Sequence, residues 1–450
     1  MTSVDRARLR QLMEREEKRF VKEHPKSKRL FERAKRSLLA GVPMNWMIRW
    51  AGPYPIFVTE GKGAYVTDVD GHRYLDLCLG DTGSMFGHSP KAVVDAVTKQ
   101  VRRGITMMLP SEDSIWVGEE LARRFGLPYW QVALTATDAN RFAIRLAREV
   151  TQRPKILVFN GCYHGSVDES LIDLEGGRVV PRFGNIGPPV DPVVTTKAIE
   201  FNDLDALEEA LRPKDVACVL CEPAMTNRGI ILPLPGYHDG LRELTSRYGT
   251  LLIIDETHTI CTSPGGYTAA YHLTPDMVTL GKPLASGVPA AAYGISQDVA
   301  DRIIAKATGE GSDESGIGGT LSGNALAAAA MRATLEHVIT KAAYRRMVPL
   351  AERFERGVAQ AIKTHGVPWY VVRLGTRAEY HFKPGPLRDA ADHAKFRDGE
   401  LEQFLHLYAL NRGILLTPFH NMALISPYTT AKDVDHHTRV FEEAVAELVG

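Results

Sequence analysis

Two short segments place an acid and an amine where chemistry can use them. Leu251 to Ile254 is an apolar run that delivers Asp255; Met277 to Leu280 is a shorter run that delivers Gly281 and then Lys282. Runs of that length flanked by turn residues suit buried strands of a parallel sheet. Such sheets bind ligands just beyond the carboxyl ends of their strands. One lysine and one carboxylate at those ends are what pyridoxal phosphate (PLP) requires. The amine forms a Schiff base with the aldehyde, and the carboxylate keeps the pyridine nitrogen protonated so that the ring accepts electrons. Two unrelated strand ends with a surface lysine would read the same way, so the rest of the chain must decide.

A phosphate needs backbone N–H donors at a helix N-terminus, reached through small residues. Thr135-Ala136-Thr137-Asp138-Ala139-Asn140 follows a strand pattern and opens a helical one. It fits a phosphate cradle and an ordinary N-cap equally well. Phe159 to Gly165 leaves another strand through two glycines and presents Tyr163, which fits a ring stacked on a flat cofactor or on the sheet end. His164 beside it reads as a structural or hydrogen-bonding histidine. Glu222 ends a further strand as a second carboxylate, and Asn227 follows as a candidate orienting amide. Gly318 to Asn324 opens another helix with small residues and hydroxyls, as a second phosphate clamp or a cap would.

These residues need strands and helices in alternation. From about Pro90 to Ala333 the pattern supplies them, with strands expected at Gln131–Leu134, Lys155–Phe159, Val216–Cys221, Thr250–Ile254 and Met277–Leu280. Helices are expected at Ala139–Val150, Leu204–Leu211 and Tyr237–Tyr248. That order argues for an α/β fold with a mostly parallel sheet. Residues 55–79 alternate apolar and polar around a VDGH turn, as a hairpin does. The last part adds long charged helices and strand pieces at Pro368–Leu374 and Ala378–Phe382. The expected division is an N-terminal helix and hairpin over 1–85, a large domain over 86–335, and a small α+β domain over 336–450 that the N-terminal piece joins.

Lysine plus arginine balance aspartate plus glutamate at 54 each, which argues against nucleic acid or an anionic membrane as partner. No apolar stretch approaches about 20 residues, the length a membrane span needs. Five cysteines form no disulfide framework, so a cytoplasmic location is expected. Cys218 and Cys221 lie three apart on a strand and point to opposite faces, so no metal site is expected there. No G-x-G-x-x-G follows the first strand, which excludes a dinucleotide fold of that kind.

Taken together, GAYVTDVDGHRYLDL, GCYHG, CEPAMTNRG, LLIIDETHT, TLGKPLASG and GTLSGN stand in an order that resembles the class III (subgroup II) aminotransferases of PLP fold type I. Glutamate-1-semialdehyde aminomutase and the amine and β-amino-acid transaminases look closest, over about Gly41 to Ile425. The resemblance implies that Lys282 is the Schiff-base lysine, that Asp255 pairs with the pyridine nitrogen and that Tyr163 stacks on the ring. Thr135-Ala136-Thr137 stand for the phosphate loop. His164 and Glu222 border the cofactor, Thr257 packs behind the ring, and His258 lies beside the phenolic oxygen, where glutamine or methionine is common. Thr320 reaches the phosphate of a neighbouring subunit, which implies a homodimer with shared sites.

Relatives often carry two carboxylate-binding arginines. Here the first loop reads Gly41 to Met47 with no arginine before Arg49, and Pro418 is followed by Phe419 and His420. Trp46, Met47, Asn227 and Phe419 are therefore the expected substrate pocket, with Arg49 or Arg377 as the remaining cations. The expected activity is a ping-pong transfer of an amino group from a primary amine or an ω/β-amino acid to an oxo acid such as pyruvate. The alternative is an aminomutase or racemase on the same fold. A non-catalytic PLP-fold module would be expected to lack the lysine or to carry an added DNA-binding domain, and neither is seen.

Overall fold

The computed structural model describes residues 4–307 and 316–450, which form two compact units. One unit takes Lys91–Lys341 and Leu387–Lys395; the other takes Met1–Pro90, Ala342–Pro386 and Phe396–Gly450.

The first unit is built on seven strands: β1 Tyr129–Ala133, β2 Lys155–Phe159, β3 Thr196–Ile199, β4 Val216–Cys221, β5 Leu251–Asp255, β6 Met277–Leu280 and β7 Ala291–Ile295. Their order is β1-β7-β6-β5-β4-β2-β3. All neighbours are parallel except β7, which runs antiparallel to both β6 and β1. The central strands β4, β5, β6 and β7 are buried at every residue. Burial on both faces explains why they read as unbroken apolar runs rather than as alternation. Each fully buried Val, Leu or Ile contributes about 1.5–3 kcal/mol of burial. This is the fold type I architecture, with a mixed, mostly parallel central sheet and helices.

The sequence places β2, β4 and β6 at their observed bounds, and the helices Leu204–Leu211 and Tyr237–Tyr248 likewise. Two strands escape it. β3 is a short edge strand, and β7 (AAYGI) has Ile295 as its one β-branched residue, against two each in β4, β5 and β6. The helix after β1 starts earlier than its apolar pattern, at Ala136, because Thr135 caps it: its side chain accepts from the Asp138 N–H at 3.1 Å.

In the other unit, Val58–Lys62, Tyr65–Asp68 and Arg73–Asp76 form an antiparallel meander, and Ile414–Leu415 adds in parallel beside Arg73–Asp76. Residues from both ends of the chain thus share one sheet. A second sheet of three strands joins Tyr370–Leu374, Arg377–His381 and Met422–Leu424. The charged N-terminal helix Arg6–Glu23 buries Leu9 and Phe20, and its buried Glu16 takes hydrogen bonds from Asn411 and Arg412. All five cysteines are buried and outside any disulfide; Cys78 is in this unit and the other four are in the sheet unit. Burial pushes the Cys78 and Cys218 thiols up to about 12. Among the described residues no helix is long and apolar enough to cross a membrane.

Candidate active site

Register brings the chemistry to one edge of the sheet. Asp255, the last residue of β5, is level with Thr279 of β6, and Lys282 follows three residues later. Cys221 ends β4 level with Ile254, so Glu222 emerges beside Asp255. Acid, amine and second acid therefore leave the carboxyl ends of three adjacent parallel strands, where open α/β sheets bind ligands.

Asp255 is 3% exposed and fully engaged. Its Oδ1 accepts from the Thr257 N–H at 3.0 Å; its Oδ2 accepts from Asn140 Nδ2 at 2.9 Å and meets His164 Nδ1 at 2.9 Å. Burial opposes charge on the carboxyl group, but the hydrogen bond and charge of His164 hold it well below the usual carboxylate range. Burial alone would lower the pKa of His164; the bond to Asp255 instead pushes it up to about 10. Each partner thus favours the charged form of the other. Asn140 is held in turn by Thr279, whose hydroxyl donates to Asn140 Oδ1 at 2.6 Å.

Asn140 and Thr279 were not foreseen. The signal was present: Asn140 interrupts the apolar face formed by Ala139, Ala143, Ala147 and Val150 on its helix. A polar residue in such a stripe needs a buried partner.

Lys282 sits in a short 3-10 turn with φ 23°, in the left-handed region. A non-glycine residue held there stores about 1–3 kcal/mol. Its Nζ lies 2.6 Å from His258 Nε2. Glu222 is buried and takes two bonds from Thr226, one from its N–H at 3.2 Å and one from its hydroxyl at 2.5 Å. Burial raises its pKa. Tyr163 is presented on its loop with 44% of its surface exposed, and Thr257 is buried. Asn227 donates to the Gly161 carbonyl at 2.8 Å, which ties the CEPAMTNRG loop to the Tyr163 loop.

These residues fit PLP. A Cβ on Gly281 would lie 2.7 Å from Ala136 Cβ, and one on Gly165 would lie 2.0 Å from Thr137 Oγ1. Both loops close onto the start of the helix Ala136–Thr151 only because they are glycines. The first N–H groups of that helix have no intrahelical partner and suit a phosphate. An ionised carboxylate and a lysine amine stand at the adjoining strand ends. The capping role of Thr135 coexists with this, since it uses the N–H of Asp138 and leaves those of Ala136 and Thr137.

Thr320 lies on an exposed loop of the sheet unit, before the helix Ala325–His337 that Asn324 caps. Ala325 donates to the Ile105 carbonyl, which sets this loop beside Ile105 and the exposed Met107, Met108 and Leu109.

In the other unit, Trp46 and Phe419 meet edge to face at 6.4 Å, and Arg49 lies 5.9 Å above the Phe419 ring. Met47 packs instead against a core of Phe20, Phe31, Tyr54 and Leu407. Arg377 is 1% exposed; Nη2 bonds Asp81 at 3.2 Å, while Nε and Nη1 are buried without a hydrogen-bond partner. Two residues on, Glu379 meets His420 at 3.2 Å through Oε1 and leaves Oε2 unpartnered. Burial opposes its charge, but His420 holds it down at about 2. His24, Asp68 and His72 also cluster here, with metal-ligand atoms within 4.8 Å of one another. They are joined by hydrogen bonds: His24 to Tyr74 and the Phe20 carbonyl, His72 to Asp68.

The family model for class-III aminotransferases matches residues 46–445. The chain belongs to the class-III aminotransferase family, whose cofactor is pyridoxal phosphate. It is 33% identical to a glutamate-1-semialdehyde 2,1-aminomutase of Desulforudis audaxviator, over 94% of this chain and 98% of the other. The crystal structure of a glutamate-1-semialdehyde-aminomutase from Pseudomonas aeruginosa PAO1 superposes with a TM-score of 0.97 at 51% identity, covering 99% of both chains. A lysine-to-alanine variant of that protein has been crystallised with PMP (pyridoxamine phosphate). An omega-transaminase from Sphaerobacter thermophilus superposes at 0.85 with 27% identity, over 94% of this chain and 98% of the other.

Proposed function

We propose that the protein is a PLP-dependent aminomutase that moves an amino group between adjacent carbons of one substrate, glutamate 1-semialdehyde or a near analogue. The observation that carries this is the full-length likeness, at 51% identity, to a structure described as a glutamate-1-semialdehyde-aminomutase. It favours the alternative over the aminotransferase that the sequence suggested first.

Bound PLP supplies an electron sink for the carbanion formed at the substrate carbon. The chain supplies the rest. The ionised Asp255, fixed by His164, Asn140 and Thr257, holds a positive ring nitrogen. The helix start at Thr135, Ala136 and Thr137 holds the phosphate, and Tyr163 covers a ring face. Lys282 Nζ takes a proton from one substrate carbon and returns it at another, as base and then acid. Glu222 and His258 border the same strand ends.

A second reading, amino transfer from a hydrophobic amine to an oxo acid, rests on the Trp46–Phe419 contact. One experiment separates the two. The purified protein, given glutamate 1-semialdehyde and no oxo acid, should form 5-amino-4-oxopentanoate at a steady rate. Product only with added pyruvate, or alanine formed from an amine and pyruvate, would favour amino transfer.

The working unit in this reading is a homodimer. Its support is the exposed Thr320 loop beside Met107, Met108 and Leu109 on one surface, together with Leu321. A monomer in sedimentation with full activity would sink it. Five buried cysteines outside any disulfide support a reducing, cytoplasmic setting.

A further inference from the structure

The unit that carries both chain ends holds a set of side chains with the chemistry of a metal site. His24 ends the helix Arg6–Glu23 and caps the next one, Pro25–Ala34. Its ring is buried and stacks on that of Phe20, with centroids 4.2 Å apart. Nδ1 lies 2.8 Å from the Phe20 carbonyl oxygen. A carbonyl oxygen only accepts, so the neutral ring keeps its hydrogen on Nδ1 and its lone pair on Nε2. A histidine that ligates a metal commonly gives its other N–H to such a carbonyl, which fixes both tautomer and ring orientation.

The Nε2 lone pair meets a carboxylate. Nε2 and Asp68 Oδ2 are 3.6 Å apart, and the same Oδ2 lies 3.1 Å from His72 Nδ1. All three ligand atoms fall within 4.8 Å of one another. Bonds of 2.0–2.2 Å at tetrahedral angles place the ligands of a zinc ion about 3.3–3.6 Å apart. The two measured edges are close to that, and the remaining one ends on His72, whose side chain is 39% exposed and can adjust in solvent.

The set is also held from behind. Asp68 Oδ1 accepts from the His72 N–H at 2.8 Å, and the Tyr74 hydroxyl donates to Oδ2 at 2.8 Å. Ligating carboxylates are commonly oriented by such bonds. The other acid of this turn, Asp70, is engaged by the N–H groups of Lys26 and Ser27 at 2.7 and 2.9 Å. Two imidazoles and one carboxylate suit zinc and similar divalent ions.

We propose that His24, Asp68 and His72 bind one zinc-class divalent cation, with water in the fourth position on the side that His72 opens to solvent. The ion staples the corner between the two N-terminal helices to the turn between Asp68 and Arg73. This site goes beyond the catalytic reading and does not rest on it.

The test uses zinc itself. Purified full-length protein is stripped with a chelator, returned to metal-free buffer and titrated with zinc chloride in competition with a coloured zinc indicator. The wild type should take up one equivalent that outcompetes the indicator. His72→Ala removes the half-exposed ligand and leaves the buried ones in place. It should weaken that equivalent by more than the roughly 10–100-fold that losing an orienting partner of a ligand costs. Asp68→Asn should do the same; should it fail to fold, His72→Ala carries the comparison. His337→Ala, at an exposed histidine beside Glu336, should leave the equivalent unchanged. Cobalt(II) gives a second readout: the wild type should take the intense visible colour of a four-coordinate site, and His72→Ala should lose it. Zinc should also raise the thermal midpoint of the wild type and not of His72→Ala, because an ion bound only by the folded chain stabilises it. No competing equivalent in the wild type overturns the proposal. So does one that survives His72→Ala, or one that His337→Ala weakens equally. An equivalent that binds without raising the midpoint overturns the staple.

Discussion

The strand-end cluster around Asp255 and the cluster around Arg377 hold similar residue types and are finished to different degrees. At Asp255 the buried charge meets three protein donors, and the second layer, Asn140 to Thr279, is also bonded. At Arg377 a guanidinium of equal burial keeps two nitrogens without a partner, and Glu379 keeps one oxygen so. A buried charge satisfied by its own protein is a preorganised element whose geometry does not wait for a ligand. One left with open valences is costly unless something completes it. The first cluster is complete as it stands, and the second keeps open valences.

The largest effect expected is at Lys282. Lys282→Ala should lose the borohydride-fixable link to PLP, and turnover should fall by several orders of magnitude, beyond the roughly 10²–10⁴-fold of one acid–base group. An active variant with freely exchanging PLP would remove the strand-end cluster from the chemistry altogether.

The next test breaks the comparison from the other side. If Arg377 completes its bonds with a substrate carboxylate, Arg377→Met should raise KM for such a substrate roughly tenfold or more, because a bond to a charged group is worth about 1.5–3 kcal/mol. Thermal stability should hold or rise, since an under-bonded buried charge is removed. Unchanged KM with lowered stability would make the cluster structural.

These two expectations differ in how far the sequence could carry them. LLIID and MVTLGK were legible because full burial forces unbroken apolar runs, and a parallel sheet sends their ends to one edge. The bonds that finish the site were not legible. Asn140 meets Asp255 across 115 positions, a pairing that only the packing of helix on sheet creates. β7 was passed over because its alanines carry little strand signal and it pairs antiparallel to the rest. In the other unit, Met47 was read with Trp46 as pocket wall; it is half-buried against the core of Phe20, Phe31 and Leu407, a contact that its sequence neighbours did not signal.

A smaller effect concerns pH. The His164 pKa is raised from 6.5 to about 10 on folding, so its contribution is fully present below about 6.5 and is lost as pH rises to about 10. Asp255 is shifted the other way, so its share is lost only in acid, below the ordinary carboxylate range. The thermal midpoint of wild type should therefore exceed that of His164→Gln most near pH 6, with the gap closing towards pH 10. A gap independent of pH would mean that His164 is not charged in the folded protein.

The smallest effect sharpens the choice of substrate. Trp46 is 39% exposed and its edge-to-face contact with Phe419 is worth about 0.5–1.5 kcal/mol. Trp46→Ala should weaken binding of a bulky aryl amine about two- to tenfold and leave glutamate 1-semialdehyde nearly untouched. Equal losses for both would show that the tryptophan shapes its loop rather than touching substrate.

The five buried thiols give the molecule a clock of its own. A thiol reagent attacks only the thiolate; all five sulfurs are shielded while the chain stays folded, and burial also holds those of Cys78, Cys218 and Cys221 protonated. Each becomes reactive only when its surroundings open. With Cys78 in one unit and Cys162, Cys218, Cys221 and Cys261 in the other, the order in which peptides acquire label reports which unit opens first and how fast. No engineered probe is needed: the unmodified protein, a dilute alkylating agent and a mass spectrometer would time the loosening of each half.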